Sequence, residues 1–300
     1  MNYVRYFTFL TSVSCMLLFS SCNMCSRPKT IEQIVVDIEL ADMAMDMESI
    51  YLRMGHMVLY AMPNPIDASM LIKNWGIPYP ELMNDPANAP AYLTTKKQAI
   101  NLGVYITNIT TAMLYEQTQT ALRYRQAITT LIEALGLQSI APQSILQQLE
   151  DNINDKNRLL EIISTIYADA AEFLTEDDRA FFALAMLSGG WVEGMFIATA
   201  MVDENLPENM DKMKQIINEN KITFDLLWQA LGELDDIPDE AVFLMLDMSY
   251  LAHLFGHQTL ISAQAPQRDP HNNIDNITPK FFAEVKEHIR ILRTRFVSRG

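Results

Sequence analysis

Apolar residues recur with a helical spacing over much of the first half of the chain. Residues 30–33 (Thr-Ile-Glu-Gln) form a capping-box pattern, and an apolar face then runs to about residue 61: Ile31, Ile34, Val35, Ile38 and Met45. Six prolines predict an irregular segment over residues 62–93, with one short helix at 66–75. Helical spacing returns over residues 94–135, where Gly103 predicts a kink and Gly136 a C-terminal stop.

The second half of the chain shows the same helical spacing and repeated start signals. It predicts helices over residues 142–153 and 155–174, and a third that Thr175 caps and that runs to about 202. Three further helices start at Pro207, Thr223 and Pro238 and end near residues 218, 234 and 265. A loop over 266–277 precedes a last helix, which begins at Thr278 and Pro279. No stretch alternates like a β-strand, so the predicted fold class is all-α, an irregular multi-helix bundle of about ten helices.

One motif raises the alternative of a solenoid-like helical repeat. Leu102-Gly-Val-Tyr105 resembles the Leu-Gly-x-x-Tyr signature of tetratricopeptide repeats, although its tyrosine comes one residue early. No second copy of the motif follows at the distance of about 34 residues that this repeat requires. The irregular bundle is therefore preferred over the solenoid.

The N-terminal segment carries the pattern of an export signal. Arg5 precedes an apolar run over residues 6–19, which two serines and Cys22 follow. The run is shorter than the roughly 20 apolar residues that cross a bilayer, so a transmembrane anchor is disfavoured. The segment resembles the lipobox of bacterial lipoproteins, in which an apolar residue and two small residues precede an acylated cysteine. It departs from that pattern because Phe19, rather than leucine, stands three residues before Cys22.

Cys22 suits acylation better than the other two cysteines do. Cys15 would leave too short an apolar run, and Cys25 follows the bulky Met24. A disulfide between Cys22 and Cys25 is the alternative in an oxidising compartment. The lipobox resemblance therefore assigns the lipid anchor to Cys22.

This assignment implies an organisation and a location. Residues 1–21 would be a lipoprotein signal peptide, 22–29 a tether and 30–300 a helical domain, with a subdivision near 137–141 as one option. Acyl chains on Cys22 would hold the mature protein on a membrane. Asn23 stands where inner-membrane lipoproteins carry aspartate, which favours the bacterial outer membrane. The absence of an acidic cluster after Cys22 favours a periplasm-facing orientation.

Composition narrows the kinds of partner. The chain carries 22 lysines and arginines against 37 aspartates and glutamates, a formal net charge of −15. Nucleic acid is excluded on this ground, because it selects basic surfaces, and strongly anionic lipid is disfavoured for the same reason. Hydrophobic residues make up 49% of the chain, enough for a substantial core, which excludes a disordered protein. The predicted partners are the membrane, through the lipid on Cys22, and other envelope proteins.

The segment Ser188-Gly-Gly-Trp-Val-Glu-Gly194 is the most unusual local feature. It places three glycines within six residues of an apolar helix, where each costs about 1 kcal/mol relative to alanine. One interpretation is a small-ligand site with a stacking face and one charge: Gly189, Gly190, Trp191 and Glu193. Three tyrosines would line its pocket: Tyr105, Tyr115 and Tyr124. The other interpretation is a tight helix crossing, which glycines suit equally well.

Several motifs between residues 95 and 200 together resemble those of other proteins. They are Leu102-Gly-Val-Tyr105, residues 115–119 (Tyr-Glu-Gln-Thr-Gln), Tyr124, residues 135–137 (Leu-Gly-Leu) and residues 189–194. Together they resemble a group of helical bacterial lipoproteins of uncharacterised function. The resemblance implies a helical fold and an envelope location, and it carries over no functional residue.

Two histidines, His253 and His257, stand four residues apart in a predicted helix. This spacing places both on one helical face, where they suit a transition metal if a carboxylate or third histidine joins them. Leu254 occupies the position of a metalloprotease glutamate, and apolar neighbours favour packed histidines. No nucleophile elbow, P-loop or dinucleotide-binding glycine motif occurs. The sequence predicts a binding or assembly protein that is not an enzyme and holds no cofactor, with a metal protein or enzyme at the two histidines as an alternative.

The last predicted helix inverts the charge balance of the chain. Residues 279–300 carry six basic side chains against two acidic ones, with an apolar stripe opposite. Such a helix suits docking onto the acidic body, contact with membrane headgroups, or a solvated face on an ordinary packed helix. The solvated face is the preferred interpretation.

Overall fold

A computed structural model describes four main stretches of the chain and a few single residues between them: residues 65–138, 180–232, 239–257 and 276–299. These stretches consist of helices and of the turns and loops that join them, and they contain no β-strand. The prediction of an all-α fold is therefore confirmed for the described part of the chain.

Several sequence predictions lie outside the described residues. They concern the signal peptide over 1–21, Cys22 and its tether over 22–29, the helix to residue 61, most of the helices over 142–174, the cap at Thr175, and most of the boundary at 137–141 and of the loop at 266–277.

Eight helical segments form the described part, rather than the ten or so that the sequence predicts for the chain. In chain order they are α1 (Pro65–Asn74), a 3-10 helix (Pro86–Ala91), α2 (Thr95–Leu114), α3 (Thr118–Ala134), α4 (Ala180–Ala200), α5 (Met210–Gly232), α6 (Asp239–Leu254) and α7 (Pro279–Val297). A second 3-10 turn, Pro207–Asn209, runs directly into α5 and is counted with it.

Two predicted helix ends and one predicted short helix are confirmed by the local geometry. The hydroxyl of Thr278 accepts a hydrogen bond from the backbone N–H of Phe281 at 3.1 Å, with Pro279 in the first turn. Gly136 adopts a φ of 68° just after α3, which few residues other than glycine adopt, and stops that helix. The short helix predicted at 66–75 is α1.

Three predicted boundaries are wrong. The helical pattern over 94–135, which is too long for one typical helix, is divided at residues 115–117, where Glu116 has a φ of 58°, and not at Gly103, which lies inside α2. The two helices predicted between 207 and 234 are one helix, α5, in which Thr223 is buried rather than capping. The long helix predicted to reach 265 ends at Leu254, because the chain turns at Gly256 with a φ of 104°.

Helix α4 is the centre of the packing. It contacts α1, α2, α5, α6 and α7, and its pairing with α2 is the most extensive in the described part. Apolar on all sides, α4 is by length and composition able to cross a membrane, but most of it is buried among the other helices. Burial on every side explains an apolar composition of this kind without a bilayer.

Helix α7 completes the core with its apolar stripe. Six of its side chains are buried: Phe281, Phe282, Val285, Ile289, Leu292 and Phe296. The helix packs against α2 and α4 as well as against its chain neighbour α6. In a helical solenoid each unit contacts only its neighbours along the chain, so these contacts differ from the solenoid pattern.

Candidate functional site

The glycine segment of α4 lies where that helix crosses α2. A Cβ atom added to Gly103 would lie 1.8 Å from the carbonyl oxygen of Met186, and one added to Gly189 would lie 2.0 Å from that of Ile100. No real Cβ contact is so short, so the two backbones touch only because both residues are glycine. Across the same crossing, the hydroxyl of Thr107 donates to the carbonyl of Gly190 at 3.1 Å.

Trp191 is part of the core on the opposite side of α4. Its side chain is buried, and its indole N–H donates to the backbone carbonyl of Asn220 on α5 at 3.2 Å. Its ring centroid lies 5.0 Å from that of Phe224 and 6.3 Å from that of Phe255, which ties together α4, α5 and the end of α6. The indole that the ligand hypothesis placed in a site therefore packs against other core rings, tilted to one and edge-on to the other.

The three tyrosines assigned to the same site have partners other than Trp191. The hydroxyl of Tyr105 donates to the carbonyl of Asp85, and that of Tyr115 donates to the carbonyl of Ile77, both at 2.9 Å. The Tyr124 ring centroid lies 5.9 Å from that of Tyr105. Since these partners lie between α1 and α2 or on α2 and α3, the described contacts do not join the tyrosines to Trp191.

The environment of two of these tyrosines also determines their ionisation. Burial raises the pKa of Tyr105, and the neighbouring hydroxyl of Tyr92 raises it further. Burial likewise raises the pKa of Tyr124, and the nearby charge of Glu193 adds to the effect. Both raised pKa values favour the protonated phenols.

Glu193 is fully buried and forms an ion pair with Arg293 of α7. The guanidinium donates from Nε to Oε2 at 2.9 Å and from Nη2 to Oε1 at 3.3 Å, so both carboxylate oxygens accept from the same partner. Arg293 also donates to the carbonyl of Leu82 at 3.2 Å and lies over the ring of Phe196, 4.7 Å from its centroid. No local pattern in the sequence indicates this pairing, because the two residues are 100 positions apart. The glutamate that the ligand hypothesis assigned to a bound ligand serves instead to hold α7 on α4.

The basic face of α7 pairs with the acidic body at other places too. Lys286 donates to Glu204 at 2.8 Å and to the carbonyl of Val202 at 2.9 Å. Arg295 pairs with Asp247 of α6 at 2.9 Å. The preferred prediction of a solvated basic face is therefore wrong for Lys286 and Arg293, which dock onto the acidic body as in the alternative. The side chain of Arg295 is paired but 61% exposed, as the preferred prediction expects.

Polar side chains from residues 92–101 bind the C-terminal end of α7. The amide of Asn101 donates to the carbonyl of Phe296 at 2.9 Å, and the hydroxyl of Tyr92 donates to that of Val297 at 3.1 Å. The ammonium of Lys97 donates to the carbonyl of Ser298 at 3.1 Å. The last carbonyls of a helix have no partner within it, so these donors stabilise its end, and a cation there also complements the helix dipole.

His253 and His257 are not displayed as a pair on one helical face. Helix α6 ends at Leu254, so His257 lies beyond it, after the turn at Gly256. The Nε2 atom of His257 lies 2.8 Å from an oxygen of Asp225 on α5, and His253 packs edge-on against the ring of Tyr250. Among the residues that the structure describes, no group of three or more histidine, cysteine or carboxylate side chains could hold a metal.

Comparison with known proteins adds no relative. No protein-family model, no curated protein and no solved structure matches the chain. The function is therefore argued from the residues of the chain itself, including Cys22, which the structure does not describe.

Proposed function

We propose that the protein is a lipid-anchored, non-catalytic helical protein of the bacterial envelope that binds or assembles with other envelope proteins. The observation that carries the proposal is the N-terminal pattern, in which a short apolar run and two serines lead directly to Cys22. Acyl chains on Cys22 would place the protein on the outer membrane, facing the periplasm. The resemblance to helical bacterial lipoproteins supports the same location.

The arrangement of the described helices supports a binding or assembly role over a catalytic one. Trp191 donates to Asn220, and both oxygens of Glu193 bind Arg293. The ring of His257 is likewise engaged, because its Nε2 atom lies within hydrogen-bond distance of the Asp225 carboxylate. Groups engaged in this way hold helices together, so recognition of partners falls to the exposed surface.

The architecture that goes with this role is an irregular helical bundle. Its support is the packing of α7 against α2 and α4, which are distant from it along the chain. A bundle of this kind provides a rigid body whose outer helix faces are independent of one another, whereas a solenoid provides one continuous concave surface.

The test of the anchor is metabolic labelling of the full chain in a bacterial host with an alkyne analogue of palmitate. We expect label and membrane attachment in the natural chain and the loss of both in Cys22→Ser. Cys15→Ser and Cys25→Ser are matched controls, because each removes one other cysteine and should keep the label. An unlabelled natural chain, or label that follows Cys25, would contradict the proposal.

The test of the assembly role is cross-linking in intact cells followed by identification of the linked proteins. We expect the natural chain to give a reproducible set of envelope proteins, and Cys22→Ser to lose that set because the protein leaves the membrane. Recovery of the same set from Cys22→Ser would show that the anchor plays no part in assembly.

A further inference from the structure

Exposed apolar side chains cluster on one surface of the protein. Among the described residues seven large apolar side chains are exposed, and four of them belong to this surface: Leu93, Val242, Phe243 and Leu246. Leu93 directly precedes the N-cap of α2 and is 84% exposed, while Phe243 on α6 is 58% exposed. The ammonium of Lys96, three residues after Leu93 in the chain, lies 5.4 Å from the ring centroid of Phe243, and this contact links the start of α2 to α6. We call these five residues the apolar patch.

The packing of α6 does not require these side chains. The inward face of this helix is fully buried through Ala241, Leu244 and Met248, among others. Val242, Phe243 and Leu246 lie on its outward face, so α6 is apolar on two sides although the core uses only one. Single exposed apolar residues are ordinary, but a cluster on one surface indicates an interaction site.

The charges around the patch favour one kind of partner. Lys96 contributes a cation beside Phe243, and the carboxylate of Asp247 on α6 is already paired with Arg295 at 2.9 Å. Bulky apolar side chains beside a lysine suit a lipid interface, because the apolar groups enter the acyl region while the ammonium reaches a phosphate. The chain as a whole carries a net charge of −15, which disfavours a strongly anionic surface. A zwitterionic bilayer satisfies both conditions.

We propose that the apolar patch docks the helical body onto a zwitterionic lipid surface. Leu93, Phe243 and Leu246 enter the interface, and Lys96 contacts lipid phosphate. The inference rests on the proposed function, because an acyl group on Cys22 would keep the body beside a bilayer. It adds which face of the body meets that bilayer, and thereby leaves the other faces to protein partners.

The test uses an environment-sensitive fluorophore on the full chain with Cys15, Cys22 and Cys25 replaced by serine. One variant carries the fluorophore at Leu93→Cys in the patch. The matched control carries it at Ile222→Cys on α5, an apolar side chain that is also well exposed, at 61%. With vesicles of phosphatidylethanolamine and phosphatidylcholine, emission at position 93 should shift to shorter wavelength and rise at least about twofold, as on entry to an apolar interface. No response at position 93, or an equal response at position 222, would overturn the proposal.

A second pair of variants tests the chemistry of the patch itself. Phe243→Glu combined with Leu246→Glu should abolish the response at position 93, whereas Ile222→Glu should preserve it; circular dichroism checks that both variants keep their helices. A wavelength shift that grows with protein concentration in the absence of vesicles would show that a second copy covers the patch, and would overturn the lipid assignment. Because this chain cannot be acylated at Cys22, these results are independent of palmitate labelling, and either proposal can fail alone.

Discussion

Gly103 and Gly190 bring two helix backbones into contact at the centre of the protein. A Cβ atom on Gly103 would lie 2.8 Å from the amide nitrogen of Gly190, as well as 1.8 Å from the carbonyl oxygen of Met186. Side chains opposite a mutation can rotate away, but backbone atoms of a packed helix move only if the whole helix moves. The closeness of α2 and α4 therefore depends on the absence of a methyl group.

The first prediction is that Gly103→Ala and Gly189→Ala strongly destabilise the protein. Each new methyl would overlap a backbone carbonyl, so the helices must separate, and we expect a loss of about 3 kcal/mol in the free energy of unfolding. Urea denaturation followed by circular dichroism measures this loss.

Gly194→Ala is the control on the same helix. Its Cβ would meet only the Cβ of Ala68 at 3.5 Å, an ordinary contact. Because alanine favours helix over glycine, we expect this variant to be unchanged or stabilised by up to about 1 kcal/mol. Equal losses at positions 189 and 194 would contradict the close crossing.

The second prediction concerns the buried ion pair. Arg293→Met leaves the carboxylate of Glu193 without its counter-charge in the core, which should lower the free energy of unfolding by about 3–5 kcal/mol. The double variant Glu193→Met with Arg293→Met removes both charges and should recover most of that loss, measured by the same urea titration. A double variant as unstable as the single one would show that Arg293 acts through packing rather than charge.

The third prediction is a pH-dependent contribution from Glu204. The hydrogen bond from Lys286 holds the pKa of the Glu204 carboxyl below its ordinary value. Since the pKa is lower in the folded state than in the unfolded chain, the stabilisation is complete above the ordinary value near 4.5 and disappears as the pH falls through the folded value. Glu204→Gln should therefore cost about 0.5–1 kcal/mol at pH 7 and nothing measurable near pH 2.

Lys286→Met removes two hydrogen bonds, one to the Glu204 carboxylate, which titrates, and one to a backbone carbonyl, which does not. The lysine also donates to the carbonyl of Val202, which carries no charge at any pH. We expect thermal melts of Lys286→Met to show a pH-dependent loss like that of Glu204→Gln plus a constant loss. A deficit in Glu204→Gln that persists at low pH would contradict the assignment.

The fourth prediction concerns the start of α7. Thr278→Ala removes the side-chain acceptor for the N–H of Phe281 and should cost about 1 kcal/mol in the free energy of unfolding. Thr278→Ser keeps the hydroxyl and should stay within a few tenths of the natural protein. A serine variant as unstable as the alanine variant would show that the methyl group of threonine, and not the cap, stabilises this end.

Local signals in the sequence predicted the helical class and several helix ends. Thr278 and Gly136 act through their own neighbours, so their effects are readable from short stretches. Thr223 and Gly103 are different, because their surroundings are set by other helices. A threonine that resembles a cap is buried inside α5, and a glycine that resembles a kink serves a crossing.

The sequence was enough to single out the proposed site residues, but not to predict their partners or their structural roles. Gly189, Trp191 and Glu193 are unusual in an apolar helix, and each proves to have a specific partner. Those partners lie at Ile100, Asn220 and Arg293, at sequence distances that no local pattern spans. The exposure of Phe243 was equally hidden, since an apolar helix does not reveal from its composition which face the core will cover.

Helix α7 follows every other described helix along the chain, and it supplies the counter-charge of Glu193 and six buried apolar side chains. In a nascent chain from which α7 has not yet been synthesised, Glu193 therefore lacks its counter-charge and the core lacks six apolar side chains. We therefore expect the native packing to form only after α7 has been synthesised. For the export that we propose, this order would be favourable, because passage through a secretion channel requires an unfolded polypeptide. The order of helices along the chain would thus keep the protein competent for transport until the moment at which its body can close.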